Sequence, residues 1–255
     1  MERLRGDVAS VTRGALFLVV MQLSAPVSAQ EAPPWLQMTV VQVDPTRLDE
    51  FLAAQGELSA LEQEAGPSWR SVSRTAVFGD TYRFIITTPL RAFAGLDRAV
   101  EADPARSAII NRIRNAITSR QTYAIRATPT IDNPLPDDEA PALMLIQFVS
   151  VVPGREQDYL RVMANDVLPH FDEAEMHHTS GALTFGGAGG YVHIFHVQNF
   201  AALDQGSPLA RALGADGAQE VTAKLSGVVA RSEQWLVRLV SELSYGPWSE
   251  PDAEP

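Results

Sequence analysis

The sequence predicts an α+β protein built from two copies of one structural unit. Short landmarks recur along the chain at a constant separation of 107 residues. Pro34-Trp35-Leu36 is matched by Pro141-Ala142-Leu143, and Phe93-Ala94-Gly95-Leu96-Asp97 is matched by Phe200-Ala201-Ala202-Leu203-Asp204. Both members of each pair occupy equivalent positions in two similar series of strand-type and helix-type patterns. A duplicated unit of this kind predicts two similar domains that pack on each other.

The chain divides into two repeats separated by a short linker. Repeat one is assigned to residues 35–126 and repeat two to residues 142–245. Residues 127–141 contain four prolines, which disfavour both helices and inner strands, so this segment is predicted to be the linker. Residues 246–255 form a short acidic tail.

The elements of each repeat follow from its hydrophobic periodicity. Runs rich in β-branched residues predict strands, apolar residues at helical spacing predict helices, and glycines between the middle strands predict tight hairpins. Repeat one is predicted to contain strands over 36–43, 69–78, 82–88 and 123–126, with helices over 47–64 and 105–119. Repeat two is predicted to contain strands over 143–152, 181–185, 191–197 and 235–238, with helices over 155–173 and 215–229.

The resulting order is β-α-β-β-α-β, the split βαβ or ferredoxin-like pattern, in which helices cover only one face of the sheet. The other face must bury its apolar side chains, and the second copy is an obvious partner. We therefore predict two tandem ferredoxin-like repeats that pack sheet to sheet as a pseudo-dimeric α/β barrel.

The element order, the duplication and the repeated Phe-Ala-x-Leu-Asp stretch resemble the dimeric α/β-barrel superfamily in its fused, two-repeat form. The sequence is similar to NIPSNAP-like and antibiotic-biosynthesis-monooxygenase-like proteins over about residues 35–245. The resemblance implies a range of activities, including cofactor-free monooxygenases, haem-degrading enzymes, haem peroxidases and chlorite dismutases. Because the superfamily shares no catalytic motif, it leaves the cofactor open between none, haem and a metal ion.

Composition limits the class of partner. The chain has 255 residues, 45% of them hydrophobic, and a net charge of −11. Binding to nucleic acid phosphates or to an anionic membrane surface needs clustered Lys and Arg, so neither partner is expected. A small-molecule ligand is the expected partner, and the protein is expected to be a monomer or a homodimer.

Residues 1–29 have the pattern of a secretory signal peptide. Three arginines (Arg3, Arg5 and Arg13) accompany a short apolar run over 15–21, and Val27-Ser28-Ala29 fits a cleavage site. We expect a periplasmic or secreted protein with no membrane span after cleavage; an uncleaved N-terminal anchor is the alternative. The chain contains no cysteine, so neither a disulfide nor a cysteine-linked lipid contributes.

All five histidines lie in repeat two, at positions 170, 177, 178, 193 and 196. We predict His193 as the principal catalytic residue, acting as a general base or a metal or haem ligand, with His177 and His178 in support. His193 and His196 differ by three positions on one strand, so only one of them can face the space between the repeats. No HExxH or other compact metal-binding spacing is present, and a purely structural role for these histidines is the alternative.

The predicted ligand-binding residues fall into two groups. Tyr191 and Phe195 share a strand face with His193, and His170 lies near the end of a helix. Trp69 and Arg70 occupy the related region of repeat one. We expect Arg70 to be exposed and to serve solubility, whereas a buried Arg70 would need an anionic partner.

Three functions remain open at this level. The first is an enzyme that acts on a small, apolar substrate in a pocket between sheet and helices. The second is a non-catalytic binding module of the cell envelope for an apolar ligand or a protein. The third is a haem-binding protein.

The signal-peptide assignment predicts that the exported protein begins at Gln30. Intact-mass measurement and N-terminal sequencing of protein recovered from the periplasm or medium of a bacterial host test this cleavage. An Ala29→Phe variant should remain unprocessed, because the peptidase needs a small residue at that position. Recovery of wild-type protein that retains residues 1–29 would instead support the uncleaved anchor.

Overall fold

The computed structural model describes residues 35–65, 68–90, 92–94, 103–135, 142–187 and 189–246. The predicted signal peptide, residues 136–141 of the predicted linker and nearly all of the acidic tail lie outside the described residues. None of the described helices has the length and apolar character needed to cross a membrane.

Repeat one has the predicted element order. Asp44 accepts a hydrogen bond from the Thr46 backbone N–H, and Asp103 accepts one from that of Ala105, so these carboxylates cap helical turns that begin with proline. The elements are β1 (Trp35–Val43), a 3-10 turn (Pro45–Arg47), α1 (Leu48–Ala65), β2 (Ser71–Thr75), β3 (Arg83–Leu90), α2 (Pro104–Ala116) and β4 (Ile117–Ala127).

Repeat two follows the same plan, but its first helical region is interrupted by a π-helical turn. The elements are β5 (Leu143–Val151), α3 (Glu156–Val162), the π turn (Met163–Val167), α4 (Leu168–Glu173), β6 (His178–Phe185), β7 (Tyr191–Val197), a 3-10 helix (Phe200–Gln205), α5 (Pro208–Leu225) and β8 (Val229–Leu239). Further 3-10 turns follow β4 at Pro129–Ile131 and β8 at Ser241–Leu243.

Several predicted boundaries were wrong. Helix α5 begins at Pro208 rather than at residue 215, and it ends at Leu225 because Gly227 adopts a left-handed φ of 71°. Strands β4 and β8 begin at Ile117 and Val229, well before the predicted starts. Their first halves are largely polar and exposed, so they lack the apolar signal on which the prediction depended.

The eight strands close into one barrel in the order β1-β3-β2-β8-β5-β7-β6-β4. Within each repeat the pairing is the ferredoxin-like one. The seams between repeats are the antiparallel pairs β2–β8 and β4–β6. The predicted pseudo-dimeric barrel of two repeats is therefore confirmed, and the two sheets also join at their edges, which the sequence did not predict.

Three apolar layers fill the molecule. The barrel interior is shared by the repeats and is lined by strand residues such as Met38, Ile85, Ile146 and Val192. A second layer lies between the sheet and helices of repeat one, and a third lies between the sheet and helices of repeat two. Burial of these layers supplies most of the stabilisation in a chain without disulfides.

The segment that follows each repeat's last strand packs into the other repeat. Leu243, beyond β8, lies in the sheet–helix layer of repeat one, and Ile131, beyond β4, lies in that of repeat two. Backbone bridges join Tyr245 to Arg70 and Asn133 to His178. The repeats thus exchange terminal segments in a mutual clasp.

Gly181 sits at the β4–β6 seam, where any side chain would be in the way. A Cβ added there would overlap Cγ2 of Ile125 and would lie 3.1 Å from the carbonyl oxygen of Arg126. We predict that Gly181→Ala lowers the free energy of unfolding by about 1–3 kcal/mol, measured by urea denaturation, because it overpacks the seam.

Gly56→Ala is the matched control for this substitution. The added Cβ at Gly56 meets only Leu243 Cδ2 at 3.8 Å, and alanine favours the helix by about 1 kcal/mol. Equal stability of wild type and Gly181→Ala would show that the seam tolerates a side chain.

Candidate functional site

The candidate site is a cavity of about 470 Å³ between the sheet and the helices of repeat two. This volume is in the range of pockets that hold small organic ligands. Its walls are mainly apolar side chains from β5 and β7 and from the helices above them, including Val149, Met163, Phe171, Phe195 and Val221.

His193 lies in the floor of this cavity and is bonded at both ring nitrogens. Its Nε2 is 2.6 Å from the Tyr159 hydroxyl, and its Nδ1 is 2.7 Å from Oγ of Ser180. His193 is 1% exposed and Tyr159 is 2% exposed. Helix α3 supplies the tyrosine, β6 the serine and β7 the histidine, so the array spans the layer from helix to sheet.

Burial keeps this array uncharged. Desolvation, with a smaller contribution from His178, lowers the pKa of His193 to about 3, and desolvation raises the pKa of Tyr159 well above its usual value. A neutral imidazole has one N–H, so two proton arrangements satisfy the array. In one, Tyr159 donates to Nε2 and Nδ1–H donates to Ser180; in the other, Ser180 donates to Nδ1 and Nε2–H donates to Tyr159.

A row of polar side chains continues from His193 toward the mouth of the cavity. The strand registers place Gln147 beside His193, and Gln234 beside Gln147. The Gln147 amide Nε2 donates to Ser232 Oγ at 2.9 Å. Ser232 and Gln234 are exposed whereas His193 is buried, so polarity and solvent access both increase outward along the floor.

Asp132 supports the inner end of the array. Its carboxylate accepts a hydrogen bond of 2.9 Å from the backbone N–H of Ser180, the residue bonded to His193. Burial raises the pKa of Asp132 to about 6, and the hydrogen bond from Ser180 opposes that shift. Asp132 follows the 3-10 turn after β4, so the segment that links the two repeats contributes this residue.

The π turn shapes the roof of the cavity. Met163 and Val167 bound the π turn and line the cavity, and the Leu168 N–H bonds to the Met163 carbonyl, five residues back. Pro169 lacks an N–H and its ring crowds the preceding turn, which accounts for a widened turn at this position. Such turns are frequent at functional sites.

Repeat one fills the related region with an ion pair. Arg70 is 4% exposed, and its guanidinium donates to a Glu62 carboxylate oxygen at 2.6 Å and to the Gln55 side-chain oxygen. The Glu62 carboxylate also accepts a hydrogen bond of 2.9 Å from Arg106. The expectation of an exposed Arg70 was wrong, and protein carboxylate and amide groups satisfy its buried charge.

Of the predicted residues, the structure brings three together with His193. Phe195 lines the cavity, and Tyr191 stacks on Tyr159 with ring centroids 4.8 Å apart. His178 stacks on Phe195 at 5.5 Å, and its Nε2–H donates to the Ile131 carbonyl at 3.0 Å. His178 is buried behind the cavity wall, where its contacts are structural.

The other predicted residues lie elsewhere. His170 is an exposed helix residue 3.9 Å from the Glu173 carboxylate. Trp69 and Arg70 belong to repeat one. His177 and His196 line a separate cavity at the end of the same sheet. Val192 and Ile194 share the His196 face of β7 and lie in the barrel interior, so it is this face, and not the His193 face, that points toward the inter-repeat side.

Sequence reasoning missed Tyr159, Ser180 and Gln147. Tyr159 lies within the predicted helix over 155–173, where it contributes only to the apolar helical spacing, although its hydroxyl needs a partner once buried. Ser180 and His193 lie directly opposite each other on neighbouring strands, a relation that the hairpin register fixes. A register derived from the hairpin would have paired these two residues in advance.

The histidines around the cavity do not fit the role of a haem ligand as they are arranged. Ligation of iron needs an imidazole nitrogen with a free lone pair, and both nitrogens of His193 are bonded. His178 uses Nε2–H to donate to the Ile131 carbonyl, its Nδ1 lies 3.5 Å from the Met176 carbonyl oxygen, and the residue does not line the cavity. Among the described residues, no three His, Cys, Asp or Glu side chains are placed to hold a metal ion together.

No protein-family profile matches the sequence, and a search of curated proteins finds no match. Solved structures do match. A proposed monooxygenase from Lactobacillus acidophilus has a TM-score of 0.58 and 9% identity, covering 84% of this chain and 97% of its own. An anthrone oxidase-like protein has a TM-score of 0.59 and 11% identity, covering 88% and 98%.

A variant of chlorite dismutase from Candidatus Nitrospira defluvii has a TM-score of 0.56 and 9% identity, covering 84% of this chain and 94% of its own. These proteins match across nearly their whole length. The chain has the dimeric α/β-barrel fold. The clasp and both seams are features of two repeats fused in one chain. At sequence identities of 9–11%, the similarity to these solved structures concerns the fold alone.

The buried neutral histidine predicts a pH dependence of stability. Between pH 6.5 and about 3 the unfolded chain binds a proton at His193 that the folded chain does not. The free energy of unfolding therefore falls as the pH falls through this window, by up to about 1.4 kcal/mol per pH unit. We predict that His193→Gln reduces this slope in chemical unfolding between pH 4.5 and 7, while His178 and His196, whose pKa values burial also lowers, keep their contributions to it.

His170→Gln is the control, because it removes an exposed histidine and should leave the slope as in wild type. Asp132 contributes to the pH dependence of the unfolding free energy with the opposite sign between about pH 4 and 6, because its pKa is raised. This contribution is the same in wild type and in both variants, since all three contain Asp132. Equal slopes in wild type and His193→Gln would contradict the assignment of a neutral His193.

Proposed function

We propose that the protein is an enzyme that binds a small, largely apolar, uncharged substrate in the cavity of repeat two and exchanges a proton with it. The observation that supports this proposal is the Tyr159–His193–Ser180 array in the floor of an otherwise apolar cavity. An apolar wall with a few convergent polar groups is typical of small-molecule sites. The array holds no charge of its own, so a neutral substrate fits it better than an ion.

The array favours proton abstraction through a two-residue base. A C–H or O–H proton of the substrate passes to Tyr159 Oη while the tyrosine's own proton passes to His193 Nε2. The products of this step are a substrate anion and an imidazolium that donates to Tyr159 and Ser180. Because burial lowers the pKa of His193 to about 3, the step needs the nearby substrate anion to stabilise the imidazolium.

The second candidate is a binding module without chemistry. It is favoured by the same hydrogen bonds, since both nitrogens of His193 are satisfied and its pKa makes it a weak base. In this case the array would only orient the polar group of an apolar ligand. The two candidates share the ligand class and differ in whether the bound molecule changes.

The proposal includes a location outside the cytoplasm, in the periplasm or the medium. The basic residues, the apolar run and the Val27-Ser28-Ala29 site of residues 1–29 support it. An extracytoplasmic site would meet substrates in the envelope or entering from outside.

Anthrone is a suitable first probe, because it is small, apolar and uncharged and has an acidic C–H. Its oxidation by dioxygen is balanced as anthrone plus O₂ giving anthraquinone plus water, and removal of the C–H proton starts it. We predict that Tyr159→Phe lowers the rate of anthraquinone formation about a hundredfold or more. The rate is measured from the absorbance of the anthraquinone product. The variant should retain binding of the uncharged fluorophore N-phenyl-1-naphthylamine within about threefold.

Val221→Trp tests the cavity itself, because Val221 is buried and lines it. This variant should lose both fluorophore binding and turnover. Val77→Trp is the control, since Val77 is 57% exposed on the repeat-one hairpin. Binding without turnover in wild type, across anthrone and related C–H acids, would favour the binding module; unchanged binding in Val221→Trp would place the ligand elsewhere.

A further inference from the structure

A second polar cavity lies at the end of the repeat-two sheet, where β7 ends and β6 begins. It measures about 900 Å³ and is open to solvent. Its lining includes His177 and His196, together with Asp172, Glu175 and Arg211. None of these side chains takes part in the Tyr159–His193–Ser180 array.

His177 and His196 form a cross-strand pair. The His196 backbone N–H donates to the His177 carbonyl at 3.1 Å, which continues the β6–β7 register one step beyond the His178–Phe195 pair. Residues directly opposite each other have Cβ atoms about 4.5–5.5 Å apart on the same face of the sheet. The two imidazole rings therefore project side by side.

Both rings leave a buried nitrogen without a partner. The Nδ1 atoms of His177 and His196 are shielded from solvent and have no hydrogen bond. Such an atom costs about 1–3 kcal/mol when nothing satisfies it, and two of them occur here on neighbouring residues. The positive φ of Glu175, 50°, is the one left-handed non-glycine backbone among the described residues, and it lies in the turn that leads into this pair.

We propose that His177 and His196 form a binding site for a divalent first-row transition-metal ion, with water completing the coordination. Two adjacent imidazole nitrogens are good donors to such ions. The carboxylates of Asp172 and Glu175 make the surroundings more favourable for a cation, whereas Arg211 opposes it.

Because only two protein donors converge, the site should follow the general order of affinities for these ions. Cu²⁺ should bind more tightly than Ni²⁺ or Zn²⁺. The proposed metal site shares no residue with the substrate cavity. An experiment that contradicts the proposed enzyme function would therefore not contradict the metal-site proposal.

The test is titration of untagged protein with Cu²⁺, followed by calorimetry and by electron paramagnetic resonance. Wild type should bind one equivalent with splitting from two nitrogen donors. His177→Ala and His196→Ala should each weaken binding by about tenfold or more and remove one nitrogen from the spectrum. His170→Ala should bind as wild type does, because His170 is exposed on helix α4 and away from the pair.

Circular dichroism establishes that each variant is folded, and His196→Gln provides a gentler substitution if the alanine variant is not. Retention of the two-nitrogen spectrum in His177→Ala or His196→Ala would overturn the proposal. So would the absence of stoichiometric Cu²⁺ binding in wild type.

Discussion

Closure of the barrel at its two seams is the constraint on which the rest of the structure depends. Each ferredoxin-like sheet has two edge strands with unpaired backbone groups and one face without helices. Pairing β2 with β8 and β4 with β6 removes all four edges, and it also encloses the uncovered faces in a common apolar interior. Closure at the β4–β6 seam requires glycine at position 181, because a side chain there would collide with β4.

The clasp extends the same constraint to the candidate site. The chain leaves β4 at the seam and continues into repeat two, where Ile131 packs under the helices and Asp132 bonds to the backbone of Ser180. The site of repeat two is therefore completed by the segment that links it to repeat one. In the other direction, Leu243 and Tyr245 reach repeat one, where Arg70, Glu62 and Gln55 occupy the buried space with an ion-pair network. The scaffold is shared, and the polar residues inserted into it differ.

Much of the fold was predictable because it depends on local pattern. Strand β7 was predicted at its observed bounds, because a short apolar run between a glycine-rich turn and a polar segment fits few secondary structures other than a strand. The first halves of β4 and β8 were missed, because exposed edge-forming segments such as Thr118–Arg120 carry no apolar alternation. The candidate site was only half predictable. His193 stood out as a histidine on an apolar strand, whereas Tyr159 is 34 residues away and meets it only through packing of α3 on the sheet.

The sequence by itself determined the duplication, the β-α-β-β-α-β order and the concentration of histidines in repeat two, because each is a property of composition or short-range periodicity. Only the tertiary structure decided which histidine meets which partner. Neighbouring residues on a strand point to opposite faces, so His193 entered the helix-covered layer and His196 the other face, while Arg70 was neutralised within repeat one. These outcomes depend on strand register and on barrel closure, which are set by contacts between residues far apart in the chain.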